Sequence, residues 1–142
     1  MNRLIEILHG GNHSLVVAGS EIRTFDGRGI ADLYRLFTLE PDFLAGASVA
    51  DKVVGKGAAA LMVLGGVKEV YAGVASSAAL TLLHNSGVAA RCDLEVPHII
   101  NRKGDGICPV EQLCLDCATA AECLPRIEQF MQQLKQQNDA SN

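Results

Sequence analysis

Ser48-Val49-Ala50-Asp51-Lys52-Val53-Val54-Gly55-Lys56-Gly57-Ala58-Ala59-Ala60-Leu61-Met62-Val63-Leu64-Gly65-Gly66-Val67-Lys68-Glu69-Val70-Tyr71-Ala72-Gly73-Val74 holds the best helix and the best strand signal of the chain side by side. The first part reads as a helix from Ser48 to about Leu64, closed by Gly65-Gly66, with Gly55, Gly57 and Ala58 to Ala60 as a small-residue face that lets it lie close to a sheet. Val67 to Val74 follows as a central strand. Upstream, Leu4, Ile5, Ile7 and Leu8 suit one face of a short helix that ends at Gly10-Gly11. Ser14 to Ala18 and Ile22 to Phe25 then read as an antiparallel hairpin turned at Gly19-Ser20-Glu21. Helical spacing returns with Ile30, Leu33, Tyr34, Leu36 and Phe37, until Pro41 stops it. Downstream, Ser76-Ser77 caps a helix running through Leu83 to Gly87, and Ala89 to Leu94 and Val96 to Ile100 are strand candidates. A loop at Lys103-Gly104-Asp105-Gly106 leads into the cysteine segment, and Leu124, Ile127, Phe130, Met131 and Leu134 mark a final amphipathic helix before a polar tail from Gln136. Strands and helices in alternation describe an α/β layered domain.

The 142 residues fit one domain, 1–142, whose residues 107–137 form a cysteine-containing helical segment. A chain of this size buries about 68% of its unfolded surface, so a structural metal is optional for folding. Aromatics are 4% of the chain, tryptophan is absent and the net charge is −4, which argues against a nucleic-acid partner. Glu6 and Gly10-Gly11 interrupt the N-terminal apolar stretch, and no apolar run reaches the length of a membrane span. A cytoplasmic location is expected, with no membrane partner. There, clustered cysteines serve as metal ligands, catalytic thiols or reduced core residues more often than as disulfides.

Lys52 and Lys56 are four residues apart in the helix as read, on one face of its first turns, where the macrodipole is already positive. Two ammonium groups with free backbone N–H groups suit a phosphate or carboxylate; a capping box of Ser48 and Asp51 with two solvated lysines is the plainer reading. Four of the five cysteines lie within Cys108 to Cys123. Cys108, before Pro109, is a candidate N-cap whose thiol the helix terminus would activate. Cys114 and Cys117 share a helical face, and Cys123 follows the turn at Thr119 and Glu122. Together Cys108, Cys114, Cys117 and Cys123 could hold zinc or an iron–sulfur cluster; they could equally be small core side chains or a redox pair. Asn101 and Arg102 end a candidate strand before a glycine-containing loop, where Arg102 could clamp an anion or be an ordinary surface arginine. His9, His13, His84 and His98 form no metal-ligand array, and Gly27-Arg28-Gly29 lacks the spacing of a nucleotide fingerprint.

Ala50-Asp51-Lys52-Val53-Val54-Gly55-Lys56-Gly57-Ala58-Ala59-Ala60, with Ile100-Asn101-Arg102 and Cys108-Pro109-Val110-Glu111, resembles an uncharacterised bacterial and archaeal domain-of-unknown-function family with a cytidine-deaminase-like fold. The resemblance runs from the first helix to about Glu111. It implies a three-layer α/β/α arrangement around a mixed sheet and brings no established activity. Zinc deaminases place a His or Cys with a catalytic Glu at one helix start and P-C-x-x-C at the next. The corresponding starts here, Ala50-Asp51-Lys52 and Ser76-Ser77-Ala78, offer no zinc ligands, which disfavours deamination. By resemblance, Asp51, Lys52, Lys56, Asn101, Arg102 and Cys108 share a pocket. The first expectation is therefore a small-molecule domain for an anionic or nucleotide-like ligand, with Cys108 as nucleophile and Asp51 in proton transfer if it is an enzyme. The others are a zinc or iron–sulfur module through the four cysteines and a regulatory interaction domain; a homo-oligomer is compatible with each.

Overall fold

The structure, a computed structural model, describes residues 1–27, 29–101 and 103–141, with no side-chain description from residue 137 onward; Arg28 and Arg102 of the sequence reading lie outside the described residues. Leu4 and Leu8, one helical turn apart, seat α1 (Asn2–Gly10) on the sheet against Val16, Ala50 and Tyr71. The hairpin forms as read: β1 (Leu15–Ala18) pairs antiparallel with β2 (Ile22–Phe25). Leu33 and Leu36 bury one face of α2 (Ala31–Leu39), and Pro41 opens the short α3 (Pro41–Leu44) at the position where its missing N–H costs nothing.

The stretch from Ser48 departs from the reading above. Residues 48 to 54 are not the start of a helix but a strand, β3 (Ser48–Val54), and the helix, α4 (Lys56–Gly65), begins only after Gly55. Ser48, Val49 and Ala50 are buried in succession because β3 is central, covered on both faces, so it lacks the alternation that marks a half-exposed strand. The expected capping box does not form: Ser48 Oγ donates to Glu69 Oε1 (2.7 Å), and Asp51 Oδ1 accepts from its own strand at Val53 N (3.4 Å). Gly66, at φ +81°, closes α4 in the left-handed conformation that glycine tolerates.

β4 (Glu69–Ser76) begins two residues later than read, and Ser76 Oγ caps α5 (Ser77–Asn85) by accepting from Ala79 N (3.2 Å). β5 (Ala89–Val96) follows, but Val96 to Ile100 is no strand; Ile100 makes only an isolated bridge to Ile107. α6 (Pro109–Cys114) and α7 (Ala120–Ser141) follow, α7 continuing into the polar tail from Gln136 that the sequence reading places outside the helix. Thr119 caps α7 instead, its Oγ1 accepting from Glu122 N (3.2 Å), while Glu122 Oε2 accepts from Ala118 N (3.1 Å), one residue before the cap.

The sheet runs β2-β1-β3-β4-β5, antiparallel through β1 and parallel across β3, β4 and β5. α1 covers one face; α2, α4, α5, α6 and α7 gather on the other around Val49, Leu61, Met62, Val70, Leu83 and Ile127. This is a three-layer α/β/α domain with a mixed sheet. Gly57 permits the closest helix contact, since a Cβ there would lie 2.3 Å from Val110 Cγ1 on α6. Among the described residues no helix is long and apolar enough to cross a membrane.

Candidate functional site

Parallel strands deliver their carboxyl ends, and the helices that follow them, to one edge of the sheet, the usual ligand position in α/β folds. At that edge the N-termini of α4 and α5 come together, and Glu111 of α6 is inserted between them. Its side chain is 1% exposed. Oε1 accepts from Lys56 N (2.9 Å) at the first residue of α4 and from Ser76 Oγ (2.7 Å) at the cap of α5; Oε2 accepts from Ile99 N beyond β5. Free helix N-termini attract anions. Here the chain supplies its own carboxylate. Sequence reasoning quoted Glu111 within Cys108-Pro109-Val110-Glu111 and gave it no role; the available signal was a carboxylate in the first turn of a helix whose other residues are apolar, cysteine or glutamine.

Lys52 and Lys56 do not share a helix face. Lys52 is exposed on β3, its Nζ 3.3 Å from Asn12 Oδ1. Lys56 is 8% exposed, and its Nζ donates to the carbonyls of Leu115 (3.1 Å) and Cys117, beyond the last turn of α6. Main-chain carbonyls at a helix C-terminus suit a cation, but they carry no full charge. Among the described residues no carboxylate pairs with Lys56. The same residue lines a groove of about 560 Å³ between α4, α5 and the start of α7, where Thr81, Asn85, Ser86 and Thr119 offer polar atoms beside Leu82.

Cys114, Cys117 and Cys123 are buried in the turn around which α6 and α7 fold back, close to Lys56, and all five cysteines are free thiols. Hydrogen bonding between Cys114 and Cys123 holds the Cys114 thiol below its ordinary value and pushes the Cys123 thiol up; burial raises Cys117. Cys108 stands at the other end of α6, half-buried, as an N-cap whose side chain makes no capping bond. Among the described residues, no group of three or more His, Cys, Asp or Glu side chains is arranged to hold a metal ion.

Asp51, in register between Leu15 and Ala72, is partly buried, and burial pushes its carboxyl up to about 7 against weak lowering by the backbone of Val53 and Lys52. Asn101 spends its side chain on its own loop, donating to Asp105 Oδ1 (2.9 Å) and accepting from Asp105 N (3.3 Å). Of the six positions expected to share a pocket, Arg102 lies outside the described residues and the other five are distributed: Lys56 in the helix layer, Lys52 beside Asn12, Asp51 on the sheet, Asn101 and Cys108 in the segment after β5. Also missed was His98. It borders a small cleft at the carboxyl edge with Val53, Val74, Val96, Ile99 and Ile100, and its Nδ1 is buried without a hydrogen-bond partner.

Residues 3–131 match the family described as "TM1506: Domain of unknown function (DUF1893)". The crystal structure of a DUF1893 family protein from Thermotoga maritima is similar to this chain, with a TM-score of 0.83 and 25% identity over 90% of this chain and 87% of that one. No curated protein matches. A match over nearly the whole chain, with the same fold at that level of identity, makes this protein a member of the DUF1893 domain family.

Proposed function

We propose that the protein binds a small anionic molecule in the groove between α4, α5 and the start of α7, with Lys56 as its charge partner. The observation that carries this is a lysine ammonium at 8% exposure whose only described partners are main-chain carbonyls. Buried charges are normally paired, because leaving one unpaired costs several kcal/mol at the order-of-magnitude level. An anion entering the groove would supply that missing charge, with Thr81, Asn85 and Ser86 as hydrogen-bonding groups beside it. The groove's volume lies in the range of small-molecule sites. The cytidine-deaminase-like resemblance of the sequence motifs favours a nucleotide-sized ligand, while the actual helix starts, Gly55-Lys56-Gly57 and Ser76-Ser77-Ala78, again lack zinc ligands and leave deamination disfavoured.

The test is a thermal-shift titration with inorganic phosphate, pyrophosphate and nucleoside monophosphates, on wild type and on Lys56→Met. Binding at 100 times Kd adds about 2.7 kcal/mol of stability. At least one of these anions should raise the Tm of wild type and leave Lys56→Met unmoved. Absence of any shift in wild type, or an equal shift in the variant, overturns the reading.

A further inference from the structure

We propose that the free edge of β5 pairs with a second copy of this chain, antiparallel and about a two-fold axis at Cys92, so that one sheet runs through both copies. β5 closes the sheet with eight residues, none of them proline or lysine. A long edge of that kind is a template for pairing unless something blocks it. The opposite edge, β2, has only four residues.

The ladder with β4 fixes which backbone groups are free. Ala89 N donates to Lys68 O (3.3 Å), next to its ladder partner Glu69, so Ala89, Arg91, Asp93 and Glu95 turn their backbone groups toward β4. Ala90, Cys92 and Leu94 therefore turn theirs outward. His84 Nε2, on an exposed ring, meets the Ala90 carbonyl (3.1 Å), but no hydrogen bond from the described residues reaches the N–H or C=O of Cys92 or Leu94.

The side chains select the occupant. Arg91 and Asp93 project from the α1 face, Arg91 over the Tyr71 ring (5.9 Å) and Asp93 accepting from Tyr71 Oη. Both are exposed, and among the described residues neither forms an ion pair. With the axis at Cys92, Arg91 of each copy stands opposite Asp93 of the other, in the non-hydrogen-bonded pairs where side chains approach closest. Ala90 then lies opposite Leu94, whose side chain, 56% exposed in the single chain, gains a small residue to cover. Moving the axis one residue either way sets Asp93 against Asp93 or Arg91 against Arg91, which like-charge repulsion disfavours. Charge thus picks one register, and the strand that fits it is β5 itself.

Sedimentation equilibrium on wild type, Arg91→Asp and Asp93→Arg tests the pairing, with circular dichroism checking that each variant is folded. Wild type should dimerise. Each variant opposes like charges at both two-fold-related places and should raise the dimer Kd at least about tenfold. An equal mixture of the two variants restores opposite charges at both places and should dimerise as wild type does. Amide exchange on wild type needs no variant and decides the matter should one not fold. The Cys92 and Leu94 N–H groups should exchange more slowly as protein concentration rises, while those of Arg91 and Asp93, bonded to β4, stay protected throughout. The proposal is overturned by a wild type that stays monomeric at about 1 mM, by a dimer indifferent to both variants, by folded variants that do not recover on mixing, or by exchange at Cys92 and Leu94 that ignores concentration.

Discussion

Replacing Glu111 should be among the costliest single substitutions in this protein. Glu111→Ala strands three donors at once, Lys56 N–H, Ile99 N–H and Ser76 O–H, at a site where the carboxylate is 1% exposed. A stranded buried donor costs about 1–3 kcal/mol, but water entering the vacated space recovers part of it, so a loss of about 4 kcal/mol is expected. Glu111→Gln preserves the volume and can keep one oxygen for Lys56 N and Ser76 Oγ. Its amide nitrogen then faces the Ile99 N–H, donor against donor, and about 2 kcal/mol should be lost. Ser76→Ala, which removes the α5 cap and one of the three bonds, should cost about 1–2 kcal/mol. Because Glu111 and Ser76 touch, the double variant should be less destabilised than the sum by about 1 kcal/mol. Urea denaturation read by circular dichroism gives all four values. A cost below about 1 kcal/mol for Glu111→Ala, or strict additivity with Ser76→Ala, would refute the role assigned to this carboxylate.

Asp51 should make the protein less stable as pH rises. Its folded-state value, pushed up to about 7 from 3.8, means the native protein holds a proton that the unfolded chain releases above about pH 4. The native advantage is therefore complete below that pH and lost as pH climbs through 7, a difference of about 2–4 kcal/mol for a partly buried group. Denaturation midpoints of wild type minus Asp51→Asn should follow this slope, and a flat difference from pH 4 to 7 would contradict it. Gly57→Ala should destabilise by about 1–3 kcal/mol, because its Cβ would lie 2.3 Å from Val110 Cγ1. Val110→Ala should recover part of that loss in the double variant; thermal melts that show no recovery would place the strain elsewhere.

Much of the layering was legible because short periodic segments sit between strong stop signals. Leu4 and Leu8 before Gly10-Gly11, the hairpin around Gly19-Ser20-Glu21 and the cap at Ser76 each carry their own local chemistry, and each forms as read. The failure at Ser48 has a physical origin. Ser48 to Ala50 are buried in succession, Asp51 and Lys52 interrupt any alternation, and a single glycine separates Val54 from the alanine-rich helix, so period alone cannot place the junction. That error also produced the two-lysine anion cradle, since Lys52 and Lys56 share a face only if the helix begins at Ser48. Glu111 and His98 escaped for another reason: what distinguishes them is burial and the partners they have or lack, and both depend on contacts from distant parts of the chain.

The bonds to Glu111 also carry an implication for the order of folding. They span 55 residues back to Lys56, 35 to Ser76 and 12 to Ile99, so the carboxylate that completes the α4 and α5 starts arrives from the last quarter of the chain. Long separations of this kind delay loop closure and slow folding. During synthesis, all five strands leave the ribosome before Glu111 does, so a sheet formed before α6 would have two open helix ends. Such a sheet would offer a passing phosphate or carboxylate the position that the finished protein keeps for its own side chain.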